Sequence, residues 1–396
     1  MSLAIPQEAE AEVLSSVYDK KFFELQSFLE HEFYQPDLEA FRIALATVIS
    51  HYFLETDPVW LFIVGSSGSA KTALAITALS ALPNTHVISD LTSSTFLSGY
   101  GSGKKGLLHY IGKHGILLWK DFTTLLSKKQ ETRDEIIAQL REIHDGRMVK
   151  FTGSSDMLDW AGKVTCIAAT TQTVERAWAM HREMGERWVQ VRWRSGDPVL
   201  TAEAAHRQAG HKRAIAEKII QLTREFVDHG TLNQAALLSQ SVINVSSSGL
   251  SNLARLVSIL RCTVVREKYG KDIIDIPYPE TPTRLMTAMA QVAKCHAILF
   301  RRKVNTDDLK LSRRLALDTI PINRLKIFQS IPDGADISQA DLVRLSGLPQ
   351  PTVHYLSEEL EALKVMEQST VKQLETRIRF TDEFAELKQK AGFEIY

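Results

Sequence analysis

A run of small residues that ends in lysine and threonine is the clearest candidate for chemistry in this sequence. It reads Gly65-Ser66-Ser67-Gly68-Ser69-Ala70-Lys71-Thr72. Small residues let the backbone curl until successive N–H groups point at phosphate oxygens, and a following helix adds its N-terminal dipole. Lys71 would reach the outer phosphates, and the Thr72 hydroxyl would ligate Mg²⁺. The run therefore predicts a phosphate-binding loop in which all eight residues contact a nucleotide.

Ala70 stands where the strict pattern of such loops has glycine. Alanine is the smallest replacement, so we expect the loop to close if residue 70 has a negative φ. The alternative is a serine-rich turn with a chance lysine. The apolar run 59–64 before the loop and the helical pattern after it favour the phosphate-binding interpretation.

Asp121 is the candidate for the second acidic element of such a site. The usual order is four apolar residues followed by Asp-Glu at the end of a neighbouring strand. Counted from Gly115, Lys120 falls at the Asp position and Asp121 at the Glu position. In that register Asp121 orients water and the metal carboxylate is missing. If the strand slips by one, Asp121 supports Mg²⁺. An ordinary helix N-cap ahead of Thr123 and Thr124 is the third alternative.

Short apolar runs alternate with helical patterns in the first half of the chain. Strands are predicted at 59–64, 86–89, 115–119 and 164–169. Helices are predicted at 6–32, 36–53, 72–82 and 133–144. Continuous apolar strands separated by helices are typical of a parallel sheet covered on both faces, so the expected fold class is α/β.

Beyond Pro198 the strand signal stops, and helical patterns dominate to about residue 320. The clearest helix of that stretch is predicted at 283–300. The last segment has the pattern of a winged helix-turn-helix. Its predicted helices are 338–346 and 351–363, and its predicted strands are 365–367 and 377–380.

The composition limits the broad class of the protein. Of 396 residues, 44% are hydrophobic and 24% are charged, as in ordinary globular proteins, and 47 basic residues balance 47 acidic ones. Nucleic-acid contact must therefore come from local patches. Three scattered cysteines exclude a disulfide framework or a zinc cluster. No apolar run approaches the roughly 20 residues that span a bilayer, and the N-terminus does not resemble a signal peptide, so we expect no membrane partner and a cytoplasmic location.

Over roughly residues 37–320 these motifs resemble AAA+ ATPases, most specifically in the Walker A run. The narrower resemblance is to the branch with a β-hairpin before the sensor-1 strand. That branch includes minichromosome-maintenance helicases, related helicases of phages and mobile elements, and bacterial enhancer-binding activators. The resemblance implies a P-loop AAA+ core with a parallel sheet, a helical lid and a C-terminal winged helix-turn-helix domain, with ATP and Mg²⁺ as cofactors. The implied segments are an N-terminal helical segment 1–35, a nucleotide-binding domain 36–197, a lid 198–322 and a winged helix 323–396.

Three further site residues come from the resemblance. Thr171 stands where the family has a γ-phosphate-sensing Asn, and the alternative is a plain strand-end threonine. Arg284, at the start of the predicted helix 283–300, resembles the sensor-2 arginine, with Arg255 as a weaker competitor.

Arg187, in Gly185-Glu186-Arg187-Trp188, resembles the arginine finger that acts on the next subunit. It therefore implies a homo-oligomeric ring, expected to be a hexamer. The alternative is a surface salt bridge with Glu183 or Glu186.

Two segments resemble the DNA-contacting elements of the helicase members. The segment 148–156 would be the pore hairpin, with Gly153 and Ser154 near its tip and Lys150 and Lys163 as candidate phosphate contacts. A solvated hairpin without ligand is the alternative. The glycine-rich stretch 93–105 is either a second pore loop or a flexible surface loop.

The predicted recognition helix carries mixed signals for DNA. Its early positions are Gln350, Thr352, His354 and Tyr355, and its later acids are Glu358, Glu359 and Glu361, which would repel phosphate. The basic side chains that would contact DNA phosphate beside this helix are Lys364, Lys372, Arg377 and Arg379. DNA binding and a protein-docking wing both stay open.

The leading hypothesis is an ATP hydrolase: a ring-forming AAA+ ATPase that couples hydrolysis to DNA unwinding, translocation or remodelling, for example a phage or mobile-element replication helicase. The alternative is an ATP-switched regulatory DNA-binding protein that acts on a protein partner. A degenerate nucleotide-binding scaffold is the third hypothesis, because Ala70 and Lys120 depart from the family pattern.

Overall fold

The computed structural model describes residues 7–52, 56–97, 106–151, 157–176, 187–228, 247–267, 272–371 and 375–392. By internal contacts the chain divides into two compact units. The first comprises Met1–Ile243 and Ala290–Ser312, and the second comprises Asn244–Met289 and Arg313–Tyr396. The four segments expected from the sequence stay a prediction.

Seven strands of the first unit are described. They are β1 (Trp60–Val64), β2 (Thr85–Ile88), β3 (His114–Trp119), β4 (Arg147–Phe151), β5 (Met157–Ala161), β6 (Lys163–Thr170) and β7 (Trp188–Arg192). Five of them form a parallel sheet in the order β2-β3-β6-β1-β7. The predicted α/β fold with a parallel sheet is confirmed at this level. The sequence analysis missed β7, because the polar side chains of Gln190 and Arg192 interrupt its apolar run.

The sheet is flanked by helices with the following bounds. They are α1 (Gln7–Glu32), α2 (Leu38–Ser50), α3 (a π-helical turn Thr72–Ile76 continued by Thr77–Leu79), α4 (Leu107–Ile111), α5 (Thr123–Leu126), α6 (Gln130–His144), α7 (Thr173–Arg176), α8 (Pro198–Arg207) and α9 (Lys212–Phe226). The predicted helices at 6–32, 36–53 and 133–144 are confirmed with small shifts. The helix predicted at 72–82 ends at residue 79, before the turn in which Asn84 has a φ of 55°.

Helix α1 packs on α9 and therefore belongs to the core of the first unit. The ring of Phe22 lies 5.2 Å from the rings of both Phe226 and Phe300. The Tyr18 hydroxyl donates a hydrogen bond of 2.6 Å to Asp228, just beyond α9. The sequence left open whether this segment packs or binds a partner, and the described part of it packs.

Aromatic rings form a cluster in the buried core of the first unit. Phe62 of β1 stacks on Trp188 of β7, with ring centres 3.9 Å apart and planes 7° from parallel. The Phe122 ring meets the edges of Phe62 and Trp119 at 4.8 Å each. Because Phe122 follows Asp121 in the chain, this cluster fixes the backbone beside that carboxylate.

Strands β4 and β5 form an antiparallel hairpin, so the hairpin predicted around 148–156 is present. Met148 and Trp160 are buried, whereas Lys150 is exposed. The predicted tip, with Gly153 and Ser154, lies outside the described residues.

The second unit holds the remaining strands and most of the remaining helices. The strands are β8 (Val265–Arg266), β9 (Ile273–Asp275), β10 (Ile337–Ser338), β11 (Met366–Val371) and β12 (Glu375–Phe380). The helices are α10 (Ser247–Arg261), α11 (Thr283–Leu299), α12 (Thr306–Thr319), α13 (Ile322–Ser330), α14 (Gln339–Ser346), α15 (Gln350–Ala362) and α16 (Asp382–Lys390). The division between the two units falls within α11 and again within α12.

The C-terminal segment forms a helix pair and a three-stranded antiparallel sheet in the order β10-β12-β11. Ser338 caps α14 through the Asp341 amide, and Gly347 ends the helix in the left-handed region. The predicted helices and strands of this segment are found. The short pair β8–β9 corrects the expectation that strands stop after Pro198. No helix among the described residues combines the length and apolar character that crossing a membrane requires.

Candidate functional site

The loop 65–72 leaves the carboxyl end of β1 and enters α3, as the sequence predicts. The Gly65 amide donates to the Thr170 carbonyl at 3.0 Å, which ties the loop to the end of β6. The Lys71 ammonium donates to the carbonyls of Gly65 at 3.0 Å and Ser66 at 2.9 Å. The loop therefore curls around its own lysine.

The backbone at Ala70 corrects one expectation. Its φ is +61°, in the left-handed region, so the assumption of a negative φ is wrong. The loop still closes, because alanine tolerates this conformation at a cost of about 1–2 kcal/mol. Gly68, with a φ of +79°, adopts a similar conformation without that cost.

Lys71 is buried, with 8% of its surface exposed. Burial lowers the pKa of its ammonium, and the charge of Asp121 acts in the opposite direction. Asp121 therefore lies within electrostatic range of Lys71, although the two residues are far apart in sequence. The loop and the acidic residue that were singled out separately therefore lie near each other in the first unit.

A cavity of about 460 Å³ adjoins the loop within the first unit. One side is formed by residues 68–73, another by the turn 33–36, and a third by residues of α8 and α9. Its described lining carries two charged side chains, Lys71 and Lys212, and no carboxylate. A cavity with this lining favours an anionic ligand.

Ser69 gives a second indication of a ligand. Its side chain is 5% exposed and lines the cavity, and its hydroxyl oxygen has no hydrogen-bond partner within the described structure. Buried hydroxyls are normally hydrogen-bonded, so the orphaned Ser69 oxygen fits a site that a polar ligand completes.

Asp121 is exposed at the end of β3 and opens α5. Its Oδ1 accepts from the Thr123 amide at 2.9 Å and from the Thr123 hydroxyl. The N-cap residue of α5 is Phe122, so Asp121 contacts the start of the helix from the position before the cap, and the N-cap alternative is wrong. This contact coexists with the charge effect of Asp121 on Lys71. Its metal-holding and water-orienting roles both stay predictions.

Thr171 follows the last residue of β6, beside the loop. Its hydroxyl bonds the Thr173 hydroxyl at 2.9 Å and accepts from the Thr173 amide at 3.4 Å. These contacts match a threonine that ends a strand and starts α7. The sensing role of Thr171 stays a prediction.

Arg187 forms a two-pronged ion pair with Asp145, with nitrogen–oxygen distances of 3.2 and 2.7 Å. Only 11% of the Arg187 side chain is exposed. Asp145 is thus a partner of Arg187 among the described residues; Glu183 and Glu186 lie outside them, and the alternative of a salt bridge with either stays a prediction. In this chain the guanidinium is held by the end of α6.

The remaining basic candidates differ in exposure. Lys163 is 7% exposed and donates to Ser50 and Thr56 within the first unit, so its proposed contact with DNA phosphate is wrong. Arg284 is exposed on α11, and its sensor-2 role stays a prediction. Arg255 forms an ion pair of 3.3 Å with Glu383. The glycines expected in a second pore loop lie outside the described residues.

The acids of α15 are paired inside the second unit. Arg266 contacts Glu358 and Glu359 at 3.0 Å each, and its guanidinium lies 5.1 Å from the centre of the Tyr355 ring. Arg324 adds a contact of 2.8 Å to Glu359. These pairs reduce the repulsion of phosphate expected from the sequence, but they also occupy part of the helix surface.

The basic residues predicted to assist α15 differ in their surroundings. Arg379 forms an ion pair with Glu367 on the adjacent strand. Lys364 is exposed, and Lys372 lies outside the described residues.

The cavity wall on α8 and α9 was not found from the sequence. Lys212 is one basic residue among several in 207–213, and only the fold selects it. No protein-family model matches the chain, and a search of curated proteins also gave no match.

Proposed function

We propose that the chain is a P-loop nucleotide hydrolase of the AAA+ type, with ATP as its nucleotide. The observation that carries the proposal is the cavity beside the curled loop, with two lysines and no carboxylate in its described lining. A triphosphate supplies the anion, and the uncharged remainder of the cavity suits a base and sugar.

The residues present also fit Mg²⁺ bound to a nucleotide. The described residues contain no group of three or more His, Cys, Asp or Glu side chains placed to hold a metal ion. Magnesium is commonly held by one or two carboxylates together with substrate phosphates and water. Thr72 and Asp121 are the residues proposed for this role. The bound ion would neutralise phosphate charge during hydrolysis.

We further propose that hydrolysis drives a ring, expected to be a hexamer, that unwinds, moves along or remodels DNA. Support comes from the hairpin β4–β5 with exposed Lys150, and from the C-terminal helix pair and three-stranded sheet, which we interpret as a winged helix. A phage or mobile-element replication helicase is the example that fits best.

Equilibrium binding of ATP with Mg²⁺ to the wild type and to Lys71→Met tests the nucleotide proposal. The wild type should bind ATP, and the variant should bind it about a hundredfold more weakly. Particle mass with and without an ATP analogue and single-stranded DNA, measured alongside phosphate release, tests the motor. A protein that binds ATP yet stays monomeric and shows no DNA-stimulated hydrolysis would contradict the ring motor.

A second candidate function is an ATP-switched regulatory protein that binds DNA and acts on a protein partner. It is favoured by the ion pair between Arg187 and Asp145 within the chain, because a guanidinium bound in this way does not project toward a nucleotide on a neighbouring subunit. Hydrolysis per subunit that is independent of protein concentration and unchanged in Arg187→Ala would support it. If the protein is a ring motor, hydrolysis per subunit should rise with protein concentration, and Arg187→Ala should abolish that rise.

The degenerate scaffold remains a third possibility on the basis of Lys120, which is exposed at the end of β3. ATP hydrolysis that is lost in both Lys71→Ala and Asp121→Asn excludes it.

A further inference from the structure

Lys212 is the second cation of the cavity, and no sequence motif assigns it a role. It is the first residue of α9 and is exposed, yet it lines the same cavity as Lys71 and Thr72. Its ammonium has no hydrogen bond or ion pair with another described residue. The described lining of the cavity contains no carboxylate that could pair with it.

We infer that Lys212 binds the phosphate chain of the nucleotide from α9; this inference rests on the proposed nucleotide-binding function. The phosphates carry the negative charges of a nucleotide, so they are the groups that attract a lysine in a cavity without acids. The N-terminal end of the 15-residue helix α9 adds a positive dipole at the same place.

The orphaned Ser69 hydroxyl supports this position independently of the charge. It is buried in the loop wall of the same cavity and lacks a partner within the described structure. A phosphate chain that accepts from Ser69 and Lys71 on the loop and from Lys212 on α9 satisfies all three donors. Lys212 thereby becomes a positioning residue that ties α9 to the nucleotide, a role distinct from the one that the resemblance gives to Arg284.

The test compares Lys212→Ala and Lys212→Arg with the control Lys218→Ala. Lys218 lies on the same helix, is exposed and bonds Gln221, and it does not line the cavity. The probes are ATP and ADP with Mg²⁺, and adenosine as a competitor without phosphate. Thermal unfolding of each variant confirms that it is folded.

We expect Lys212→Ala to weaken ATP and ADP about tenfold or more, the usual effect of losing a charge-assisted hydrogen bond. Adenosine binding should not change, the salt dependence of ATP binding should become shallower, and Lys212→Arg should retain most of the affinity. Lys218→Ala should match the wild type.

Unchanged ATP affinity in Lys212→Ala, or an equal loss for adenosine, would overturn the inference while the nucleotide proposal stands. If the wild type and Lys218→Ala bind none of the three probes, both the inference and the proposed function fail.

Discussion

Two buried lysines lie at opposite ends of neighbouring strands in the same parallel sheet. Lys71 follows the carboxyl end of β1, and Lys163 begins β6 at the amino end; they are 8% and 7% exposed. Burial lowers the pKa of both ammonium groups, and a carboxylate opposes it in each case, Asp121 at Lys71 and Asp57 at Lys163.

The two lysines differ in what surrounds the ammonium. Lys71 donates to carbonyls of its own loop and borders the cavity of about 460 Å³. Lys163 donates to Ser50 and Thr56, more than a hundred residues away in sequence, and does not line that cavity. A buried cation with a lowered pKa is therefore not by itself a sign of function, and an adjoining cavity makes the difference.

Replacing the two carboxylates gives the largest expected contrast. Asp121→Asn should lower ATP hydrolysis about a thousandfold at saturating nucleotide, within the range for loss of a group that activates water. Asp57→Asn should leave hydrolysis within twofold of the wild type, on the order of measurement error. Phosphate release at several Mg²⁺ concentrations checks this. A defect that excess Mg²⁺ rescues assigns Asp121 to the metal, and equal rates in the two variants would contradict its role.

Replacing the two lysines comes next in size. Lys71→Met should weaken ATP binding about a hundredfold, because a charged donor to phosphate is lost. Lys163→Met should bind ATP as the wild type does. Isothermal titration calorimetry with both variants checks the difference. If ATP binding were weakened in Lys163→Met and not in Lys71→Met, the assignment of Lys71 to the nucleotide site would be contradicted.

The pH dependence of stability should distinguish Lys163. Burial lowers its pKa from 10.5 to about 8. Between these values the unfolded chain binds more protons than the folded chain, so the free energy of unfolding should rise with pH. The contribution of Lys163 between pH 7.5 and 9.5 is about 2 kcal/mol. Urea denaturation should show that this part of the rise is absent in Lys163→Met; the same rise in both proteins would contradict the assignment.

The smallest effects concern the backbone of the loop. Ala70→Gly should raise the free energy of unfolding by up to about 1 kcal/mol, because it relieves the left-handed φ. Gly68→Ala should lower it by about 1 kcal/mol, and no atom within 4 Å of the added Cβ complicates the comparison. Urea denaturation without nucleotide measures both. A loss of stability in Ala70→Gly would show that the methyl group packs usefully.

The parts of the fold that follow from local patterns were predictable. The apolar runs of β1, β3 and β6 and the periodicity of α2 and α6 each specify one element, because all the determining residues are contiguous. Strand β7 was missed because it alternates polar and apolar residues while being mostly buried on both faces.

The candidate site also has one part that the sequence predicts and one part that it does not. The loop is contiguous, so its residue types reveal it. The cavity is assembled from segments far apart in the chain, and only folding brings Lys212 and Lys71 to the same cavity. The same limit explains the error at Lys163, and why the sequence did not indicate Asp145 as a partner of Arg187. A single sequence does not show which distant side chain neutralises a charge.

The aromatic cluster around Phe122 has a practical consequence. Phe122 is covalently joined to Asp121 and touches the indole rings of Trp119 and Trp188, the latter at a ring-centre distance of 5.6 Å. A displacement of the Asp121 main chain therefore changes the surroundings of two natural fluorophores. We expect tryptophan emission to report any such displacement when a ligand is added, without an attached label.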